Sequence, residues 1–190
     1  GGIDACIVCP AGTNNVRGSS RCSPCPPGTI ISGDTCQKCT KGKYAEFGAS
    51  TCSACSTGEY SDVEGAAFCT VARNCGAGTY IASASTSTSD TECGDCLKGT
   101  ASAGDQALCS ICGGEGEYSD TDLALACKLA PAGFKPNNNH DGIEICPKNT
   151  FSIGARSTCT DCPEGGHSLP GSSACESCST GKYYNEPTNV

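Results

Sequence analysis

The sequence predicts a small disulfide-rich fold, an elongated ladder of tandem Cys-x-x-Cys repeats with short β-hairpins and little other regular secondary structure. Three observations lead to this prediction. The chain has 20 cysteines in 190 residues, a fraction typical of disulfide scaffolds. It has no tryptophan, 4 phenylalanines and 6 tyrosines, which are too few large apolar side chains for a conventional core. The Cys-x-x-Cys pair occurs eight times along the chain.

The segment after each cysteine pair has the composition of a tight turn. Cys6 and Cys9 are followed by Pro-Ala-Gly-Thr, and Cys22 and Cys25 by Pro-Pro-Gly-Thr. Proline and glycine in these positions favour a β-turn that leads into a short extended segment. One helical turn is predicted at 122–127, which reads Asp-Leu-Ala-Leu-Ala-Cys. The predicted strands are 43–45, 59–61, 79–82, 117–119 and 182–184.

Three kinds of loop recur in order and divide the chain into repeats. The segments 39–52, 96–109 and 146–159 have the same length, and each has a lysine two residues after its first cysteine. Gly-Glu-Tyr-Ser-Asp occurs at 58–62 and again at 116–120. A period of about 50 residues therefore predicts successive units of one continuous array. The predicted units are 6–51, 52–108, 109–158 and the partial repeat 159–190.

Two disulfide schemes fit the cysteine spacing. In the neighbour scheme, the second cysteine of each junction bonds the first cysteine of the next. Ala130 and Ile143 each replace a cysteine at the standard loop spacing, so together they would remove a single bridge. Cys6 and Cys178 then need partners outside this segment, which predicts self-association or a longer repeat array. The predicted pairs are Cys9–Cys22, Cys25–Cys36, Cys39–Cys52, Cys55–Cys69, Cys75–Cys93, Cys96–Cys109, Cys112–Cys127, Cys146–Cys159 and Cys162–Cys175.

The crossing scheme instead bonds first cysteines to first and second to second across two junctions. It leaves Cys127–Cys146 as the one bridge between the two incomplete junctions, and it leaves Cys6 and Cys9 without partners. The three-junction repeat favours the neighbour scheme, because pairing the junctions by twos would alternate between units. Spacing alone does not fix connectivity, so both schemes stay open at this point.

The cysteine content and the charge indicate where the protein works. So many disulfides form in oxidising compartments, which predicts an extracellular or cell-surface location. The net charge of -8 argues against binding to nucleic acid or to anionic membrane surfaces. No apolar run approaches membrane-spanning length, so we expect membrane attachment only through an anchor outside this segment.

The sequence predicts no enzyme, no cofactor and no metal site. Paired Cys-x-x-Cys motifs can form a four-thiolate zinc site, but the even tandem spacing and the acidic composition favour structural disulfides. His140 and His167 lie in turn-rich loops without a neighbouring nucleophile. Carboxylate pairs such as Asp120 and Asp122 lack the spacing of a calcium loop.

A Ser/Thr-rich insertion at 83–91 reads as solvated and mobile, or as O-glycosylated. The candidate O-glycosylation sites are Ser83, Ser85, Thr86, Ser87, Thr88, Ser89 and Thr91.

Tandem Cys-x-x-Cys followed by Pro-x-Gly-Thr resembles the cysteine-rich repeats of ciliate surface (immobilization) antigens, and the pattern covers nearly the whole chain. The segment 175–185, Cys-Glu-Ser-Cys-Ser-Thr-Gly-Lys-Tyr-Tyr-Asn, is especially similar to their repeat start. Variant surface proteins of some parasitic protists share the Cys-x-x-Cys pattern. Growth-factor, ephrin and tumour-necrosis-factor receptor ectodomains are more distantly similar, and segments 69–75 and 90–96 resemble the last group. This chain lacks that group's tight Cys-x-x-Cys-x-x-Cys triplet.

The resemblance implies a non-enzymatic coat protein, commonly lipid-anchored and glycosylated, that forms a protective surface layer. We expect an extracellular structural or surface-coat protein that assembles into a filament or a glycosylated coat. The alternative is a receptor-type cysteine-rich ectodomain that binds a protein ligand. A one-sided apolar or tyrosine-rich patch would favour the receptor, and repeated self-contacts would favour the coat.

Overall fold

A computed structural model describes residues 7–10, 13–15, 20–33 and 35–184. Over these residues the chain forms short strands and no helix, and each strand pairs with its neighbour in sequence to give ten two-stranded hairpins. Hairpin 1 contains β1 and β2, hairpin 2 contains β3 and β4, and so on to hairpin 10. The fold is therefore the predicted small disulfide-rich ladder of hairpins. The strands are β1 (Thr13–Asn14), β2 (Ser23–Pro24), β3 (Thr29–Ser32), β4 (Thr35–Lys38), β5 (Lys43–Tyr44), β6 (Ser53–Ala54), β7 (Glu59–Tyr60), β8 (Thr70–Val71), β9 (Thr79–Ser83), β10 (Glu92–Asp95), β11 (Thr100–Ala101), β12 (Ser110–Ile111), β13 (Glu117–Tyr118), β14 (Lys128–Leu129), β15 (Phe134–Pro136), β16 (Ile143–Ile145), β17 (Thr150–Phe151), β18 (Thr160–Asp161), β19 (Gly166–His167) and β20 (Glu176–Ser177).

Four of the five predicted strands coincide with β5, β7, β9 and β13. The fifth, at 182–184, is wrong, because Lys182 ends a turn and no strand follows it within the described residues. The predicted helical turn at 122–127 is also wrong. Leu123 has φ of +58°, which a right-handed helix does not allow, and its amide donates to the carbonyl of Cys96 at 2.7 Å.

The chain divides into two compact units. Unit 1 comprises Gly1–Asn74 and Ser83–Glu92, and unit 2 comprises Cys75–Ala82 and Cys93–Val190. The four repeats predicted from the sequence do not share these boundaries, and they stay a prediction about the sequence. Strand β9 ends and β10 begins close to the places where the chain passes from one unit to the other.

A tight turn opens every hairpin, as the sequence predicts. In hairpin 2 the amide of Thr29 donates to the carbonyl of Pro26 at 3.1 Å, and Gly28 between them has φ of +82°. This is the backbone of a type II turn, whose third position requires a left-handed residue. The hydroxyl of Thr29 donates to the same carbonyl at 2.7 Å. The equivalent amide-to-carbonyl bonds run from Thr13 to Pro10, Lys43 to Thr40, Glu59 to Ser56, Thr79 to Gly76, Thr100 to Leu97, Glu117 to Gly114, Phe134 to Pro131, Thr150 to Pro147 and Gly166 to Pro163.

Within each unit, several successive hairpins are joined through the backbone of these turns. The amide of Gly28 donates to the carbonyl of Ala45 in hairpin 3 at 2.7 Å, and the carbonyl of Gly28 accepts from the amide of Cys39 at 2.9 Å. The carbonyl of Cys25 accepts from the amide of Gly48 at 3.1 Å. Hairpins 8 and 9 repeat the arrangement, since the amide of Gly133 donates to Ser152 at 2.8 Å. Backbone polar groups that lie between hairpins are thereby satisfied.

Sulfur and small side chains form the interior. The buried cysteines include Cys25, Cys96 and Cys146, each with 0% of its surface exposed. In unit 2 a small core cluster joins Ala101, Cys112 and Ala124 with Cys127 packed against it. The interior contains few large apolar side chains, in agreement with the composition, so covalent bonds take over much of the role of a hydrophobic core.

Candidate functional site

Nine disulfides close nine of the ten hairpins. Each bond joins the cysteine before a hairpin's opening turn to the cysteine at its closing strand, with Cα–Cα distances of 5.6–5.7 Å. The pairs are those of the neighbour scheme, and Cys127–Cys146 of the crossing scheme does not form. The bonds are Cys9–Cys22, Cys25–Cys36, Cys39–Cys52, Cys55–Cys69, Cys75–Cys93, Cys96–Cys109, Cys112–Cys127, Cys146–Cys159 and Cys162–Cys175.

Hairpin 8 is the hairpin without a disulfide. Its strand register places Pro136 opposite Ile143, as hairpin 2 places Ile31 opposite Cys36. Ile143 therefore occupies the position of the closing cysteine. Ala130, four residues before β15 and 2% exposed, occupies the position of the opening cysteine. The two substitutions read from the sequence thus belong to one hairpin and account for one missing bridge.

Non-covalent contacts close hairpin 8 in place of the bridge. The side-chain amide of Asn137 donates to Asp141 Oδ1 at 2.6 Å, and the amide of Asp141 donates back to Asn137 Oδ1 at 3.1 Å. Lys135 Nζ lies 2.6 Å from Glu144 Oε2 on the facing strand. Both strands are three residues long, whereas seven of the other hairpins have strands of two residues.

Cys178 is the one free cysteine among the described residues, and its thiol is partly exposed. The residues after it already form the opening turn of a further hairpin, because the amide of Lys182 donates to the carbonyl of Ser179 at 3.0 Å and Gly181 has φ of +83°. Cys178 therefore occupies the position of an opening cysteine. Cys6, the other cysteine with a predicted external partner, lies outside the described residues.

The serine- and threonine-rich segment 83–91 forms a folded turn rather than an extended tail. The hydroxyls of Thr86 and Ser89 lie 2.7 Å apart, and the carbonyl of Ser87 accepts from the amide of Ser61 at 2.9 Å. Thr91 is only 7% exposed, which makes it the least accessible of the seven candidate O-glycosylation sites, and glycosylation of the segment stays a prediction. Most of the other candidates are exposed, and Ser85 is half-buried. The remaining candidates are Ser83, Ser85, Thr86, Ser87, Thr88 and Ser89.

An ion pair fixes the base of this segment. The amide and the guanidinium of Arg73 both donate to the carboxylate of Asp90, each at 2.8 Å. These hydrogen bonds, from the Arg73 amide first and its guanidinium second, hold the pKa of Asp90 below its usual range. Partial desolvation, followed by the nearby charge of Asp90, raises the pKa of Tyr60.

A second ion pair lies on hairpin 7. Lys128 Nζ donates to Asp120 Oδ1 at 2.5 Å, and both side chains are about half exposed, at 50% and 47%. The hydrogen bond from Lys128 lowers the pKa of Asp120, and the same bond raises the pKa of Lys128. Asp122 accepts the backbone amide of Lys98 at 3.0 Å, so both carboxylates of this loop have structural partners.

The histidines have structural contacts. His140 Nδ1 lies 2.7 Å from the carbonyl oxygen of Glu117, and its own carbonyl accepts the amide of Ser119. The His167 ring stacks on Tyr184 with centroids 3.9 Å apart, beside an open depression of about 580 Å³ that the Cys178 thiol also lines. In the described part of the chain, no group of three histidine, cysteine or acidic side chains is arranged to hold a metal ion.

Comparison with known proteins finds no family model that matches the chain and no curated protein that matches it. Across the ranges that the structure describes, no helix has the length and hydropathy of a membrane span.

Six small buried residues have a structural role that the sequence analysis does not predict. Six buried residues, 0–6% exposed, sit two places after the start of a hairpin's first strand, where their carbonyls accept the turn amides of the preceding hairpin. The signal was present, because a small residue recurs six or seven positions after a junction cysteine. Hairpins 2, 5 and 8 instead have Ile31, Ile81 and Pro136 at this position. The six residues are Ala45, Ser61, Ser102, Ser119, Ser152 and Ser168.

Proposed function

We propose that this protein is a non-enzymatic extracellular structural protein of a cell-surface coat, similar in kind to the ciliate surface antigens that its repeats resemble. The observation that carries the proposal is how few side chains the fold uses. Cysteines, turn glycines and small buried residues build most of the hairpins, and backbone bonds join hairpins within each unit. Most other side chains of the described residues are exposed or half-buried, so much of the surface can vary without loss of the fold.

The disulfides support an extracellular location. Nine bonds of this kind form and persist in oxidising compartments and are rare in the cytosol. They also support durability, because each bridge limits the unfolded chain and so favours the folded state. A coat exposed to proteases benefits from both properties.

Surface labelling tests the location. Intact source cells are treated with a membrane-impermeant amine-reactive biotin, which can react with exposed lysines such as Lys128. We expect the protein among the most heavily labelled species, while a cytosolic control protein stays unlabelled in the same sample. Labelling that appears only after the cells are permeabilised would contradict the proposal.

Array formation is the second part of the proposal. Cys178 precedes a formed opening turn and has no partner among the described residues, which supports a disulfide to a further hairpin in a longer chain or in another copy. Non-reducing electrophoresis of the purified chain should show linked species that disappear on reduction and in the double variant Cys6→Ser with Cys178→Ser. A monomer with a reactive Cys178 thiol at all protein concentrations would contradict linkage between copies.

Glycosylation of the coat is tested on the segment 83–91. Mass analysis of the protein purified from its source should find hexose-containing modifications on exposed hydroxyls such as Thr88, and an unmodified Thr91. A segment of unmodified mass throughout the sample would remove glycosylation from the proposal and leave the structural role intact.

A receptor-type ectodomain is the second candidate, and a recurring exposed apolar side chain favours it. Ile111, Leu129 and Ile145 end the closing strands of hairpins 6, 7 and 8 and are 53–76% exposed. Exposed apolar positions of this kind often mark protein contacts. Replacing all three with serine should leave the fold unchanged and should abolish capture of a protein ligand from the extracellular medium, if a receptor function exists. Self-association that is unaffected by the triple substitution, with no captured ligand, favours the coat.

A further inference from the structure

Between the first bridge and the last, the covalent path along the chain has one long interruption. Where a disulfide closes a hairpin, a pulling force passes through the sulfur bridge and the enclosed loop carries no tension. Most bridges are separated by two residues, which already lie in an extended strand, and the linker between Cys69 and Cys75 has five. Between Cys127 and Cys146 there are 18 residues with no bridge, and these contain all of hairpin 8.

The contacts that close hairpin 8 can be broken and reformed without chemistry. They are the short strand pair, the Asn137–Asp141 hydrogen bonds and the Lys135–Glu144 ion pair. The tip residues Asn138 and Asn139 are exposed, as is most of β16. Segments with few buried contacts and exposed backbone bonds open locally before the rest of a protein does.

The neighbours of hairpin 8 remain closed when it opens. Hairpin 7 is bridged by Cys112–Cys127 and hairpin 9 by Cys146–Cys159, so opening stops at these cysteines. Hairpin 8 is hydrogen-bonded to both neighbours. On the hairpin 7 side, the His140 carbonyl accepts from the Ser119 amide and His140 Nδ1 lies 2.7 Å from the Glu117 carbonyl oxygen. On the hairpin 9 side, the Gly133 amide donates to the Ser152 carbonyl and the Ala130 carbonyl accepts from the Ala155 amide. These bonds reform when the segment refolds, because their partners are held in place by the two bridges.

We propose that hairpin 8 is a reversible extension element, the place where the folded chain lengthens under tension while all nine disulfides stay intact. This inference does not depend on the coat function. Extended, the segment from Cys127 to Cys146 spans at most about 65 Å, which limits the length it can release. The other hairpins release no length until a disulfide is reduced.

Single-molecule pulling on the full chain, attached through its two ends without reductant, tests the proposal. The wild-type chain should show one main lengthening event of several tens of ångströms, below the limit of about 65 Å, and the event should reverse on relaxation. The matched variant is Ala130→Cys with Ile143→Cys, which places cysteines at the two bridge positions of this hairpin. In the oxidised variant the event should disappear, and after reduction it should return among the releases from the other hairpins. An event of the same size in the oxidised variant would overturn the proposal, as would a wild-type chain with no lengthening.

Limited proteolysis gives an independent readout if the engineered bridge does not close. A cut within 128–145 separates the chain into two pieces without reduction, whereas a cut inside a bridged loop leaves the pieces joined. With a broad-specificity protease and non-reducing electrophoresis, the wild-type chain should separate first at hairpin 8, as fragment masses will show. Asn137→Ala should speed this separation several-fold. The control Thr86→Ala loosens a loop enclosed by Cys75–Cys93 and should not separate the chain. Separation first at any other segment, or equal rates for wild type and Asn137→Ala, would overturn the proposal.

Discussion

Hairpins 8 and 9 are consecutive in unit 2, and they are closed in different ways. In hairpin 9, Cys146 and Cys159 are 13 residues apart and bonded, and each strand has two residues. In hairpin 8, Ala130 and Ile143 have the same spacing, and each strand has three residues. Strand length does not follow the bridge, because the bridged hairpins 2 and 5 have strands of four or five residues. The difference teaches that side-chain contacts within the loop and between the strands can close a hairpin where a bridge is missing.

The stabilisation from a disulfide and the summed stabilisation from the contacts of hairpin 8 are of similar size. Closing a loop of this size with a disulfide stabilises by roughly 3 kcal/mol in the chain-entropy model, although the mechanism is model-dependent. In hairpin 8 an added cross-strand pair contributes about 0.2–1 kcal/mol, and a partly exposed ion pair a similar amount. Each hydrogen bond of the Asn137 loop contributes about 1 kcal/mol. Together these contacts can offset much of the missing bridge.

Removing the bridge from hairpin 9 should have the largest effect. The double variant Cys146→Ala with Cys159→Ala loses about 2–5 kcal/mol of unfolding free energy, because hairpin 9 lacks the compensating contacts of hairpin 8. Urea unfolding without reductant measures the loss. If the variant stays within about 1 kcal/mol of wild type, the bridge is not what holds a two-residue hairpin closed.

Substitution of two turn glycines distinguishes the cost of backbone strain from the cost of steric overlap between hairpins. Gly133, with φ of +83°, lies where an added Cβ would be 2.1 Å from the Gly171 carbonyl oxygen, whereas Gly165, with φ of +79°, has nothing within 4 Å. Gly133→Ala should cost about 3 kcal/mol, from left-handed strain plus overlap, and Gly165→Ala about 1–2 kcal/mol, from strain alone. Thermal unfolding of the two variants measures the difference. Equal losses would mean that the close approach between hairpins does not contribute.

Restoring the bridge to hairpin 8 makes it resemble its neighbour. Oxidised Ala130→Cys with Ile143→Cys should raise the local opening free energy of hairpin 8 by about 2 kcal/mol, somewhat below the chain-entropy value because engineered bridges often deliver less. Hydrogen exchange at the amides of 134–145 measures opening of this segment. Unchanged exchange in a variant whose bridge is verified by mass would contradict the account.

Weakening the loop of hairpin 8 tests the same comparison between hairpins 8 and 9. Asn137→Ala removes the two side-chain bonds to Asp141 and should lower the local opening free energy by about 1–2 kcal/mol. The matched control is Asn149→Gly in hairpin 9, where Asn149 has φ of +62° at the turn and glycine fits as well. A loss in the control as large as that in Asn137→Ala would show that the loop bonds are not special.

The smallest expected effect is a pH dependence. The pKa values of Asp90 and Asp120 are lowered in the folded chain, by hydrogen bonds from Arg73 and Lys128, respectively. Their stabilising contribution is therefore present above the unfolded carboxyl pKa of about 3.9 and is lost as the pH falls through the folded values. Thermal midpoints between pH 7 and 2 should decline below about pH 4, and the decline should be smaller in Asp90→Asn. An equal decline in that variant would assign the acid sensitivity to other groups.

Most of the fold could be predicted from short-range patterns in the sequence. Cysteine spacing identified the junctions but left two pairing schemes open, because the losses at Ala130 and Ile143 fit both. The three-junction repeat favoured the neighbour scheme, and the structure has its nine bonds. A glycine three or four residues after each pair, preceded by proline in some of them, predicted the turns, because type II turns depend on two adjacent residues. The failures came from contacts distant in sequence. The segment 122–127 reads as a helical turn in the sequence. In the structure, Leu123 has a left-handed backbone and its amide donates to the carbonyl of Cys96.

Other features needed the packed hairpins to become visible. Serine is usually exposed, so Ser119 at 0% exposure was not expected, and its burial is permitted by bonds to His140 and Thr121. Thr91 resembles its hydroxylated neighbours in the sequence, and its burial, at 7% exposure, is visible only in the structure. The non-covalent closure of hairpin 8 was likewise unreadable, since Asn137 and Asp141 lie in an ordinary turn-rich segment.

Disulfide mapping tests the central claim most directly. The intact protein is digested without reduction under conditions that prevent exchange, and linked peptides are identified by mass. The account predicts that Cys127 is linked to Cys112 and that Cys146 is linked to Cys159. A peptide that links Cys127 to Cys146 would contradict it, because that bond closes hairpin 8 covalently and requires the crossing scheme.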